Sequence, residues 1–169
     1  MSNIQPKTRT RPCQMAGFTM IEMMVVLAVL AILAMTALPS YYTRVVRQQI
    51  EGMGPLVAVA EAPVAAAWRM TQALPADNAA AGLPSADKMV NNYVSNVAVV
   101  NGAVNVTFGN RAVGALAGKV LTLRPAVVSD APQVPVTWVC GNAQAPKNMT
   151  LMGANQTTVP IPYLPLECK

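Results

Sequence analysis

The chain has 169 residues and a mass of 17.8 kDa, enough for one globular domain plus an accessory segment and too little for a multi-domain enzyme. Only 11% of its residues are charged and 53% are apolar, against roughly 25% charged in an ordinary soluble domain, so either the core is large or apolar surface meets lipid or partners. Histidine is absent, which excludes a Ser-His-Asp triad, a Cys-His pair and any His-built zinc site.

The formal charge of +5 is uneven along the chain. Lys7, Arg9 and Arg11 fall in a stretch, Met1 to Thr19, that holds no acidic residue, whereas the remainder carries 9 basic and 7 acidic side chains and no basic stripe of the kind nucleic acid requires. Directly after this basic tail, Phe18 to Leu38 is apolar except for Thr19, Glu22 and Thr36. As a helix it spans about 31 Å, the thickness of a bilayer's hydrocarbon core. The tail's charge keeps it on the cytoplasmic side and places the following residues across the inner membrane. A cleaved signal peptide, a plain anchor and a buried core helix are the simpler readings. The run is long for a signal and is followed by Leu38-Pro39-Ser40 rather than a small-x-small site. A plain anchor leaves Glu22 unexplained, since an acid within a membrane costs about 2.5–3.5 kcal/mol and needs a partner.

The stretch Ala16-Gly17-Phe18-Thr19-Met20-Ile21-Glu22-Met23-Met24-Val25 resembles the processing site of type IV prepilins: a short basic leader ending in Gly, then Phe, then Glu as fifth residue of the mature chain, then an apolar helix. The resemblance implies that a prepilin peptidase cuts between Gly17 and Phe18 and N-methylates Phe18, so that the leader, residues 1–17, is lost and the apolar run is kept. A glycine beside the scissile bond lets a peptidase approach the backbone closely. It further implies that residues 18–38 form a transmembrane and filament-core helix and residues 39–169 an exported head. In such a filament the Glu22 carboxylate would meet the protonated amino group of Phe18 on a neighbouring subunit and set lateral register.

Past the membrane run, Tyr42, Val46, Ile50, Met53, Val57, Ala60, Val64 and Trp68 recur at spacings of three and four, the stripe of an amphipathic helix. One long helix from about Phe18 to about Met70 is expected, with Pro39, Pro55 and Pro63 as kink points and Gly52 and Gly54 as soft ones. Residues 71–93 have no period and read as an irregular connector, where the family places its variable loop. Val97 to Val100, Asn101-Gly102 and Ala103 to Phe108 form a two-residue hairpin signal. With Val100 opposite Ala103, Val99 pairs Val104 and Val97 pairs Val106 on one face, which Phe108 continues; Asn96, Ala98, Asn105 and Thr107 take the other. Val120 to Val128, broken by Pro125, and Val134 to Cys140 give two more strands joined by a turn at Ser129 to Gln133. The fold class is therefore α+β: a long N-terminal helix, half transmembrane and half amphipathic, packed on a four-stranded antiparallel sheet. After Cys140 the chain reads as loop, with Pro146, Gly153, Pro160, Pro162 and Pro165.

Of the three cysteines, Cys13 lies in the leader that the resemblance removes, leaving Cys140 and Cys168 in an oxidising compartment, where one disulfide closing a C-terminal loop is expected rather than two free thiols. Trp138-Val139-Cys140 and Tyr163-Leu164-Pro165-Leu166-Glu167-Cys168-Lys169 resemble, independently of the leader, the W-x-C and YLP-x-x-C-basic ending of Gram-negative type IVa pilins. Glu167 is the one acidic residue after Asn142, which argues against the calcium site of a secretion pseudopilin. The resemblance implies a structural subunit without catalytic residues, cofactor or metal. Its partners would be copies of itself in a helical homopolymer, the membrane before assembly, the prepilin peptidase, an inner-membrane assembly platform and an outer-membrane secretin. The head would be periplasmic before assembly and extracellular in the filament. Adhesion, twitching motility and DNA uptake are the implied uses. A low-abundance minor pilin, a pseudopilin or a DNA- or ligand-binding subunit are the alternatives. Lys147 and Lys169 alone make a weak footprint for DNA.

Overall fold

Helix α1, Met20–Glu51, begins two residues after Phe18 in the computed structural model, which describes residues 17–169; Lys7, Arg9, Arg11 and Cys13 lie outside the described residues. The chain divides into two units, Met1–Pro39 and Ser40–Lys169, so α1 contributes to both. Helix α2 runs Gly54–Thr71. The single helix expected to Met70 is thus interrupted at Gly52–Met53, for a local reason. Pro55 has no N–H to give to the Glu51 carbonyl, and Met53 N–H instead reaches back only three residues to Ile50 O at 3.1 Å. Pro55 falls in the first turn of α2, where a missing donor costs nothing, while Pro63 is carried within the helix. Thr71 is followed by Gln72 in the left-handed conformation (φ 54°), whose N–H closes on Trp68 O at 2.9 Å and ends α2.

In the second unit the apolar stripe faces inward as its spacing requires. Val46, Ile50, Met53, Val57, Ala60, Val64 and Trp68 are all buried, and only Tyr42, 42% exposed, stays at the margin, its ring edge-on to Tyr163 with centroids 6.1 Å apart. Gln49 is buried beside them and its Oε1 accepts from Val113 N–H at 2.9 Å, tying α1 to the loop between the second and third strands.

The sheet is an antiparallel meander of β1 (Val94–Val100), β2 (Ala103–Phe108), β3 (Val120–Val127) and β4 (Thr137–Cys140), in that spatial order. The hairpin register is the expected one: Val100 opposite Ala103, Val99 opposite Val104 and Val97 opposite Val106. Asn101 and Gly102 both have positive φ (48° and 82°), the condition for a tight two-residue turn matched to strand twist. Gly102 is also needed for space, because a Cβ there would come within 2.9 Å of three Leu74 side-chain atoms. A bulge at Ser95 lets Val94 pair with Phe108. Val94, Val97, Val99, Val104, Val106, Phe108, Leu121 and Leu123 join the helical stripe in one core.

Two expectations are corrected. β4 begins at Thr137 rather than Val134, since Val134 N–H is committed to a turn with Ala131 O at 3.0 Å and Pro135 has no N–H. The segment after Cys140 is not wholly loop: Thr150–Leu151 forms a short β5 that pairs with Val127 and Ala126 of β3. β2 leaves β3 at Val104, opposite Leu123, and β5 takes over from Ala126 onward. Pro125 sits at that handover, where its missing N–H breaks no ladder bond and its carbonyl accepts from Met152 N–H at 2.9 Å.

Glu61 is half-buried on α2, and desolvation raises its carboxyl pKa above the ordinary 4.5. The folded state therefore holds this proton more tightly than the unfolded chain, so stability falls as pH rises from 4.5 through the raised folded pKa and is level above it. Glu61→Gln should remove that decline. Denaturant titration of the full chain in detergent, followed by the fluorescence of Trp68 and Trp138, is expected to find the variant more stable than the parent at neutral pH and equal to it well below pH 4.5.

Candidate functional site

From Phe18 to Thr36 every residue is exposed, including Phe18 at 76%, Met20 at 87% and Met35 at 76%. The helix there is apolar on all sides, long enough to cross a membrane, and uncovered among the described residues. Such a surface is stable only in lipid or against other apolar helices. Gly17 has open space around it, with nothing within 4 Å of a Cβ built on it, and its φ is not in the left-handed region. Neither packing nor backbone conformation inside the chain asks for a glycine there. Phe18 is likewise exposed among the described residues. Both residues are therefore free to meet an external partner.

Glu22 is the acid within this apolar surface. Thr19 precedes α1 as its N-cap, and Thr19 Oγ1 accepts from Glu22 N–H at 3.2 Å while Glu22 Oε2 accepts from Thr19 N–H at 3.5 Å. These two bonds form a capping box, which satisfies two of the orphan donors at the helix start and holds the carboxylate against the positive end of the helix dipole. The reaching-back bond is long, and a carboxylate accepts about four hydrogen bonds, so Glu22 keeps capacity for a second partner. Thr19 is the residue that pattern reading passed over. Its signal is visible in Thr19-Met20-Ile21-Glu22, the T-x-x-E signature ahead of an apolar run.

At the other end of the chain, Cys140 at the end of β4 and Cys168 in a short 3-10 turn, Leu166–Cys168, form a disulfide with S–S 2.09 Å. Inside the loop it closes, the tail runs along β3 beyond the end of β4. Thr158 Oγ1 accepts from Val120 N–H at 2.8 Å, Thr157 Oγ1 accepts from Thr122 N–H at 3.1 Å, and Gln156 N–H donates to Thr122 Oγ1 at 3.0 Å. Thr122 Oγ1 in turn donates to Asn105 Oδ1 at 2.7 Å, and both of those residues are buried. At Asn105 and Thr122 the outer face is thus polar but covered, whereas alternation alone reads it as solvated. Arg124, on the same face, donates to Gly141 O and Ala143 O, fixing the start of the tail. Leu164 is fully buried and Tyr163 packs on Tyr42, so the Tyr-Leu-Pro segment docks the tail back onto the helix side. Lys147 and Lys169 are exposed.

Two family models match. One described as pilin, a bacterial filament protein, covers residues 53–169, and one described as the prokaryotic N-terminal methylation motif covers residues 14–38. The chain is 30% identical over 159 residues to the type IV major pilin protein PilE of Neisseria gonorrhoeae, spanning 90% of this chain and 93% of that one. It is 30% identical over 162 residues to a fimbrial protein of Neisseria meningitidis serogroup A, with 90% and 93% covered. It is 33% identical over 111 residues to the fimbrial protein EcpC of Eikenella corrodens, covering 64% of this chain and 72% of that protein.

With a sequence separation of 28 between its cysteines, the disulfide stabilises the folded state by about 3–4 kcal/mol in the chain-entropy account. The double variant Cys140→Ala, Cys168→Ala is expected to lose that much in chemical denaturation. Amide exchange should rise first at Val120 and Thr122, whose donors the tail holds.

Proposed function

The chain belongs to the bacterial pilin family, and we propose that it is the structural subunit of a type IV pilus, polymerising through its N-terminal apolar helix into a surface filament. The observation that carries this reading is the stretch from Phe18 to Thr36, apolar on every side and uncovered, with one acid near its start. A membrane covers such a surface before assembly, and the same stretches of neighbouring subunits cover it afterwards. The open surroundings of Gly17 and Phe18, together with the match to the methylation motif, support cleavage between them and N-methylation of Phe18 by a prepilin peptidase. Residues 1–17 are then the leader, 18–38 the filament-core helix and 39–169 the head.

Glu22 is the assembly residue in this proposal. Already turned toward the helix N-terminus by Thr19, it pairs with the methylated amino group of a neighbouring Phe18, and loss of that partner leaves a buried uncompensated charge worth about 3–5 kcal/mol. The cytoplasmic leader, the periplasmic head, the assembly platform and the secretin follow from the same reading, as do use in adhesion, twitching or DNA uptake. The likeness to a major pilin across nine-tenths of the chain favours the principal subunit over a minor one.

Filaments sheared from the surface should yield an abundant protein that begins at N-methylated Phe18 and is two hydrogens lighter for its disulfide, read by intact mass and N-terminal fragmentation under non-reducing conditions. An abundant product still carrying Gly17 would overturn the processing. Glu22→Ala is expected to insert in the membrane at wild-type level and to give few or no filaments by electron microscopy; normal filament yield from that variant would remove Glu22 from the assembly step.

A further inference from the structure

β1 is an edge strand, paired only with β2, and edges invite another strand. Its sequence Val94-Ser95-Asn96-Val97-Ala98-Val99-Val100 carries no charge and no proline, two of the usual deterrents. The third, a bulge, lies at Ser95 and deforms only the first turn of the strand. That end is also occupied: Asn91 Oδ1 accepts from Val94 N–H at 2.8 Å and Asn110 Nδ2 donates to Val94 O at 2.9 Å. The regular stretch Val97 to Val100 has neither of these, is apolar with high strand propensity, and is lined instead by the connector, whose 3-10 turn Ala86–Lys88 packs against β1.

Asn78, in the connector, stands at that stretch. It is 8% exposed, its Nδ2 donates to Val97 O at 3.0 Å, and its Oδ1 accepts from Val99 N–H at 2.6 Å. One side-chain amide thus makes the two bonds that a neighbouring strand would make. The remaining Nδ2 hydrogen goes to Pro84 O at 3.0 Å, and Leu83 N–H donates to Asn78 O at 2.8 Å, so the amide is fixed by the connector around it. Beyond it, Asn101 N–H and Gly102 N–H are held by Ala76 O and Pro75 O.

We propose that Asn78 is an edge guard: by bonding Val97 O and Val99 N–H it pins the connector along β1 and so denies that edge to a second copy of this chain. Without it, two copies pair antiparallel, β1 against β1, with Val97 opposite Val99 of the other copy and the two Ala98 residues facing across a two-fold axis. Self-pairing is the alternative favoured by the sheet, because β1 is seven residues long while the opposite edge strand, β4, has four, and an antiparallel pair of identical edges is self-complementary and closes. The use of such a guard rests on the filament reading, since polymerised heads sit at high local concentration. Its existence does not, and it is tested on dispersed chains.

The full chain is sedimented to equilibrium in density-matched detergent, comparing wild type with Asn78→Ala, Asn78→Leu, Ala98→Lys and the double variant Asn78→Ala, Ala98→Lys. Leu has nearly the shape of Asn and loses the acceptor and both donors without adding charge, so it answers for Ala should the latter fail to fold. Protein mass per complex should double relative to wild type in the folded Asn78 variants, with Ala98→Lys unchanged. The double variant should return to wild-type mass, because two lysines then face each other across the axis; Ala98 is half-exposed and accepts the longer side chain. Wild-type mass in the folded Asn78 variants, with disulfide and far-UV spectrum intact, overturns the proposal. A doubled mass that the added Ala98→Lys change fails to reverse also overturns it, since association then uses another surface.

Discussion

Six side chains of the helical run, Val46 through Val64, share one core with the inner face of the sheet, and the rest of the head is arranged around that contact. Each such burial stabilises by roughly 1.5–3 kcal/mol, against a net domain stability of only about 5–15. The contact fixes which face of β1, β2 and β3 must be apolar, and hence the hairpin register. A slip of one residue would turn Val97, Val99, Val104 and Val106 outward together. It also requires the helical stripe to stay in phase past Gly52–Met53, which it does: Ile50, Met53 and Val57 are buried on both sides of the interruption.

The helical run meets two different surroundings, and its pattern changes accordingly. From Phe18 to Thr36 it is apolar on all sides and uncovered, and from Val46 to Trp68 it is striped and half-covered by its own sheet. Among the described residues nothing covers the first part, and a surface of that kind is stable only in lipid or against other apolar helices. Placing a carboxylate there is costly unless it has a local reason to exist, and the capping box with Thr19 supplies one before any partner arrives. In the proposed assembly the same acid is capped by Thr19 in the membrane and takes its second partner in the polymer.

Features with a short period were legible in the sequence. The helical stripe from Val46 to Trp68, the Asn101-Gly102 turn with its register, the strands near Val120 and Cys140, and the Cys140–Cys168 pairing were read from spacing, turn chemistry or resemblance, and each has its counterpart in the structure. What was not legible consists of single side chains acting over distance. Asn78 lies in a connector without period, and nothing local distinguishes it from Asn91 or Asn92; its role depends on Val97 and Val99, some twenty residues on. β5 is two residues long and exists only because β2 turns away from β3. Asn105 and Thr122 look solvent-facing by alternation and are buried because a tail more than thirty residues downstream of Thr122 is folded over them.

The connector is anchored to the sheet by bonds at Pro75, Ala76, Asn78 and Asn91 and by the packing of Ala86–Lys88 on β1, and the bond from Leu83 N–H to Asn78 O closes a small ring around residues 79–82. Ala79, Ala80 and Gly82 lie in that ring, and Gly82 has open space about it. Residues added inside the ring would project outward without displacing either anchor, and lengthening a closed loop twofold costs only about 0.6 kcal/mol in entropy. Heads of this kind can therefore diverge in connector length, or accommodate a foreign peptide at Ala80–Ala81, while their sheets remain superposable.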